Sequence, residues 1–217
     1  MILFKLALVL LMFSPIRENS VKTISNELIV SDLISSKSEG VRIAGKPEIR
    51  PCKYGRVVWF NGSTDGIFLD QMPLEGMKQF TIEIIMCPES GGNFEQRFFH
   101  CGEIKGNRVL MELRSTPSDW YLDAFIVSGD QKKTFIDPSL EHPLNQWVHL
   151  AFVVAQGKQE TYVNGVKELE GELNPKALSG GKTSIGVRQN EQSWFKGAIY
   201  KIKITNKVLK VNQFLKY

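Results

Sequence analysis

The feature that most limits what this chain can become is its hydrophobic rhythm. Apolar residues alternate with polar ones, or run in short blocks, and each block ends at Gly, Pro, Asn or Asp. Helical spacing is almost absent. Alternation with period two places one set of side chains on one face of a strand, so the pattern predicts many short strands joined by tight turns. The predicted strands are 57–60, 66–69, 80–87, 97–103, 109–114, 120–127, 147–154, 160–163, 166–169, 183–186 and 195–204. Asn164-Gly165 suits a type I′ hairpin turn, which needs positive φ at both central residues. Gln156-Gly157-Lys158 closes the hairpin before it, so Trp147 to Leu169 reads as a three-strand meander. Lys105-Gly106-Asn107 closes another hairpin. Val211, Phe214 and Leu215 have the spacing of a short helix within Lys207–Tyr217.

Composition supplies the limits. A chain of 217 residues buries roughly 70% of its unfolded surface on folding and needs no metal or disulfide to do so. Lys+Arg 27 against Asp+Glu 23 leaves +4, dispersed rather than clustered, which argues against nucleic acid as a partner. No apolar run reaches the ~20 residues of a spanning helix, so no transmembrane span is expected. Met1–Phe13, with Lys5 and the apolar run 6–13 before Ser14-Pro15, reads as a secretion signal, which implies an extracellular or periplasmic protein. The division expected is a signal peptide over 1–20, a linker or edge strand over 21–44 with the strand-like Leu28-Ile29-Val30, and one domain over 45–217. The cysteines Cys52, Cys87 and Cys101 are odd in number and sit among apolar neighbours, so free buried thiols are expected. His100, His142 and His149 show no zinc spacing with them.

The order of the blocks carries a resemblance. Val58-Trp59-Phe60-Asn61-Gly62 with Asp65-Gly66 is followed by Phe80-Thr-Ile-Glu83 and Phe99-His-Cys-Gly102. Then come Trp147-Val-His149-Leu-Ala-Phe, Tyr162-Val-Asn164-Gly165, Ile185-Gly186 and Phe195-Lys-Gly197-Ala-Ile199. In this order they resemble a laminin G-like domain of the concanavalin A-like lectin/glucanase superfamily, over about residues 45–215. The resemblance implies an all-β, two-sheet antiparallel jelly roll with one concave sheet, and it covers lectin-like modules, enzyme accessory domains and glycan hydrolases alike. On that fold Trp147, Leu150, Phe152, Val163 and Ile199 are expected between the sheets, with Gly186 and Gly197 permitting close backbone approach.

Charges inside strands mark the candidate site. Glu112 and Arg114 share one strand face, and Tyr121 and Asp123 another. If the strands pair to match charge, they join Glu83, Arg97 and Arg188 in a polar floor on the concave sheet. Planar guanidinium and carboxylate groups suit bidentate bonds to sugar hydroxyls or uronates, with Trp120 or Trp194 as a stacking wall. The alternative is a solvated face laced with structural ion pairs. The expected function is a secreted lectin-like module that binds glycan without catalysis, so no residue is assigned a catalytic role. Arg114→Ala should then abolish glycan retention at little cost to melting temperature. One alternative is a glycoside hydrolase or polysaccharide lyase using Glu83, Glu112 and Asp123. The Glu-x-Asp-x-Glu strand of laminarinase-type glucanases is missing, however. The other is an adhesion module with a protein partner. No cofactor is expected beyond a structural Ca²⁺ that Asp65 and Asp70 would help to hold. Gly180-Gly-Lys-Thr183 is no phosphate loop, since Lys176 stands where its first glycine belongs.

Overall fold

A computed structural model of the chain describes residues 27–35 and 39–216; the expected secretion signal lies outside them. In chain order the elements are β1 (Glu27–Ile29), α1 (Val30–Ser35), β2 (Val41–Ala44), β3 (Glu48–Cys52), β4 (Gly55–Asn61), β5 (Gly66–Leu69), β6 (Phe80–Pro88), β7 (Glu95–Gly102) and β8 (Arg108–Ser115). They continue with β9 (Asp119–Ser128), β10 (Gln131–Ile136), β11 (His142–Pro143), β12 (Val148–Ala155), β13 (Lys158–Val163), β14 (Val166–Gly171), β15 (Lys182–Ile185) and β16 (Lys196–Thr205).

Two antiparallel sheets form a sandwich. The first runs β14-β13-β12-β6-β16-β4-β3, with β1 also on β16. The second runs β10-β9-β8-β7-β15-β5-β2, with β11 also on β9. Alternation builds the layer between them. Phe80, Ile82, Ile84 and Met86 of β6 and Val148, Leu150, Phe152 and Val154 of β12 meet Val109, Met111, Leu113, Leu122, Ala124 and Ile126 of the second sheet in one buried cluster. Burial on this scale is the main stabilising term, at about 25 cal/mol per Å² of apolar surface.

The described residues before 45, namely 27–35 and 39–44, belong to the sandwich. Leu28, Val30 and Leu33 enter the core, and β2 forms the edge of the second sheet. The type I′ turn forms as expected, with φ of 51° at Asn164 and 78° at Gly165. Gly186 holds φ 78°, and a Cβ there would lie 2.3 Å from Cδ1 of Phe60. At Gly197 the Cβ would meet the Cys87 carbonyl oxygen at 2.2 Å. The three cysteines are free, and burial pushes the thiols of Cys87 and Cys101 up to about 11, which leaves them protonated.

Three expectations are corrected. Trp147 lies outside the inter-sheet core, in an outer patch with Cys52, Trp59 and Tyr200, its ring 5.1 Å from that of Tyr54. It has the opposite parity to Leu150 and Phe152, so the strand turns it to the other face. The expected C-terminal helix is only a 3-10 turn, Val211–Gln213. It seats Phe214 on Tyr162, with ring centroids 5.2 Å apart, over the outer face of the first sheet. Trp120 is fully buried in the core and offers no stacking wall.

Candidate functional site

The outer face of the second sheet carries the charged residues. On β8, alternation directs Arg108, Leu110, Glu112 and Arg114 outward while Val109, Met111 and Leu113 enter the core. On β9, Tyr121 and Asp123 stand directly across from Arg114 and Glu112. β7 brings the third row, Glu95 opposite Arg114 and Arg97 opposite Glu112. A bulge between Arg97 and Phe99 lets Phe98 and Phe99 both join the core. One extra residue resets the alternation, so His100 shares the outer face with Arg97, three positions earlier.

The result is a closed ionic cluster. Arg97 Nε donates to Glu112 Oε1 at 3.0 Å, and its Nη1 donates to Glu95 Oε1 and Ser193 Oγ. Arg114 Nη1 donates to Glu112 Oε2 at 3.2 Å, while its Nη2 lies 2.5 Å from Asp123 Oδ2 and 3.6 Å from Glu95 Oε2. Both oxygens of Glu112 are thus taken by guanidinium groups. Side-chain exposure is 4% for Glu112, 5% for Asp123, 13% for Arg97 and 14% for Arg114. Burial, aided by the neighbouring Glu112 carboxylate, raises Asp123 to about 6 against the pull of Arg114. Asp123 Oδ1 is buried without a partner. At Glu95 burial acts upward, but the hydrogen bond and charge of Arg97 with the charge of Arg114 hold the carboxyl below its ordinary value. Three carboxylates against two guanidinium groups leave one negative charge in excess, and Asp123 is where protonation relieves it.

Toward the other end of β8 the character changes. Burial, with the charges of Arg188, Arg108 and Arg97, drives His100 down to about 4. The neutral ring is consistent with its bonds: Gln189 N–H donates to Nδ1 at 3.4 Å, and Nε2 lies 3.0 Å from the Glu103 carbonyl oxygen. Beyond it, Lys105, Arg108, Phe125, Val127, Lys132, Lys133 and Thr134 line a groove of about 610 Å³. A second groove, of about 520 Å³, includes Arg42, Phe68, Asp70, Lys182 and Gln189.

Of the residues expected from sequence, Arg97, Glu112, Arg114, Tyr121 and Asp123 come together on this face. Glu83 does not. It sits on β6 of the other sheet, fully buried, accepting from Leu215 N–H at 2.6 Å and lying 3.0 Å from His149 Nε2. Tertiary stacking, not strand parity, separates it from the rest, so Glu83 cannot act with Glu112 and Asp123. Arg188 lies in the loop after β15 and donates to the Ile104 carbonyl oxygen at 3.1 Å, outside the ionic cluster. Trp194 is half-buried, near Gly66. Asp65 accepts backbone N–H groups of Lys46 (2.8 Å) and Asn61 (3.1 Å), and Asp70 pairs with Lys182 at 2.6 Å. Among the described residues no group of three or more His, Cys, Asp or Glu is placed to hold a metal ion. Sequence reasoning missed Glu95, Ser193, Arg108, Phe125, Lys132 and Thr134. Parity with Arg97 marks Glu95, and parity with Glu112 and Asp123 marks Arg108 and Phe125. The polar β10 gave no strand signal.

Fold and face together define a concanavalin A-like β-sandwich jelly roll with a polar sheet face. Residues 61–213 match a family profile described as the concanavalin A-like lectin/glucanases superfamily, and the chain belongs to that superfamily. No curated protein matches the chain in sequence. Among solved structures it is similar to domain 4 of AbnA, a GH43 extracellular arabinanase from Geobacillus stearothermophilus, in complex with arabinotriose: TM-score 0.61, 24% identity, covering 80% of this chain and 85% of that one. The CBM40 of the Ruminococcus gnavus IT-sialidase is also similar, with TM-score 0.57 and 15% identity over 72% of this chain and 93% of that one. So is the receptor-binding domain of botulinum neurotoxin type G, with TM-score 0.60, 12% identity, 80% of this chain and 44% of that one. At these identities the likeness establishes the fold.

Proposed function

We propose that this chain is an exported carbohydrate-binding module that recognises glycan on the outer face of its second sheet. The observation carrying the proposal is the contrast between the two outer faces. Phe214 and Leu209 pack onto Ala151, Val153 and Tyr162 of the first sheet, whereas the second presents charged and hydroxyl groups beside two grooves. Sugar-binding neighbours of the same fold support it, and the apolar run at residues 6–13 supports export. In this reading the five-residue ionic cluster stiffens the sheet, and the flanking groove with Phe125 receives the sugar.

The test is a glycan array followed by titration calorimetry on the full chain. Retention of at least one glycan, lost in Phe125→Ala with circular dichroism unchanged, is the expected result. A parent protein that retains no glycan, or a variant that binds equally, overturns it. One observation favours the hydrolase reading: Asp123, raised to about 6, stands directly across from Glu112. Against it, Arg97 and Arg114 occupy Glu112. Reducing-sugar release abolished by Glu112→Gln would establish the enzyme.

A further inference from the structure

We propose that the groove at the β8–β10 end of the second sheet selects an acidic sugar, one bearing a carboxylate or sulfate, over its neutral counterpart. This deepens the glycan-binding reading and rests on it. The groove is lined by the cations Lys105, Arg108 and Lys132, with the Phe125 ring and the Thr134 hydroxyl between them, while Lys133, of opposite parity on β10, sends its ammonium toward Gly171 of the other sheet. Five other strand and loop lysines are matched: Lys158 and Lys167 with Glu160 and Glu170, Lys176 with Asp130, Lys182 with Asp70, Lys201 with Glu27. Among the described residues none of these three groove cations makes a salt bridge. Arg108 donates to the Gly106 carbonyl oxygen at 2.7 Å and stands 5.1 Å over the Phe125 ring, while its Nε is buried without a partner.

Burial and the Arg188 charge act against the protonated form of Arg108 and outweigh the nearby carboxylates of Glu112 and Glu103. Cations gathered on one groove without a salt bridge among them attract an anion that enters it. A guanidinium with a free N–H edge matches the planar oxygens of a carboxylate or sulfate. The size favours a sugar. About 610 Å³ falls within the range of small-ligand sites and holds one or two rings. A polynucleotide needs a continuing cationic track, and here the neighbouring surface of β7, β8 and β9 carries the excess negative charge of Glu95, Glu112 and Asp123.

The experiment uses the full chain and two matched probe pairs in calorimetry at low and high salt. These are tetragalacturonic acid against its methyl ester, and a heparin tetrasaccharide against its desulfated, N-acetylated form. The inference expects at least one acid to bind about tenfold or more tightly than its neutral partner, with that margin shrinking at high salt. Lys105→Ala/Lys132→Ala, at exposed positions, should lose about tenfold for the acid and nothing for the neutral form, at an unchanged melting temperature. Equal affinity within both pairs, lost in Phe125→Ala, overturns acid selectivity and leaves glycan binding standing. A double variant that keeps the parent's preference also overturns it. No affinity for any saccharide overturns both readings. Tighter binding of a dT15 oligonucleotide assigns the groove to nucleic acid and overturns the inference.

Discussion

Arg114→Ala tests whether the ionic cluster is a structural unit. Arg114 is the guanidinium in contact with Asp123 and one of two holding Glu112. Both carboxylates are at most 5% exposed in their side chains. Removing one partner of a buried pair costs about 3–5 kcal/mol, because the remaining charge stays desolvated. Glu112 keeps Arg97, so the lower end applies, about 3 kcal/mol at pH 7. For a chain of 217 residues that is a fall in melting temperature of roughly 6–12 °C. Asp123 already titrates at about 6, and the substitution moves it higher, so at pH 5 the orphan is protonated and the loss should roughly halve. Scanning calorimetry of parent, Arg114→Ala and Arg114→Ala/Asp123→Asn at both pH values reads this out, with the double variant more stable than the single at pH 7. A single variant melting within about 2 °C of the parent at pH 7 would refute the reasoning, since it would mean the carboxylates are solvated. The contacts of Arg114 thus lead to a larger expected thermal cost than the few degrees expected from sequence.

Two titrations oppose each other in the acid range. Asp123 is raised from 3.8 to about 6, so its contribution is present below the lower value and lost as pH rises through the window. His100 is lowered from 6.5 to about 4, so its contribution is present above 6.5 and lost as pH falls; each amounts to roughly 3 kcal/mol. In urea unfolding, Asp123→Asn should therefore make stability fall from pH 6.5 to 4, and His100→Gln should make it fall from pH 4 to 6; unchanged slopes in both would contradict the assignment. Gly186→Ala should cost more than about 3 kcal/mol, from the collision with Phe60 and the left-handed φ, and normal expression and melting would count against the packing described. Phe214→Ala should expose Glu83 and His149 to solvent and destabilise by about 2–4 kcal/mol, seen as faster amide exchange on β6 and β12 if the tail is the cover described.

The sequence by itself determined the strands that alternate strongly, their hairpin turns and the superfamily. Those signals are local: period two in β6, β8 and β9, and positive φ at Asn164-Gly165. Local parity also marked Glu112, Arg114, Tyr121 and Asp123 as neighbours across one strand pair. It failed where a strand carries no apolar rhythm, as in β10, and where a bulge shifts the phase, as between Arg97 and His100. The tertiary structure alone decided which sheet each charged strand joins. Glu83 has the same character in sequence as Glu112, yet β6 and β8 lie in opposite layers, because face assignment depends on long-range pairing that no window along the chain contains. The same holds for the groove: Lys105, Arg108, Phe125 and Lys132 become one electropositive surface only when a hairpin loop and three paired strands are brought edge to edge.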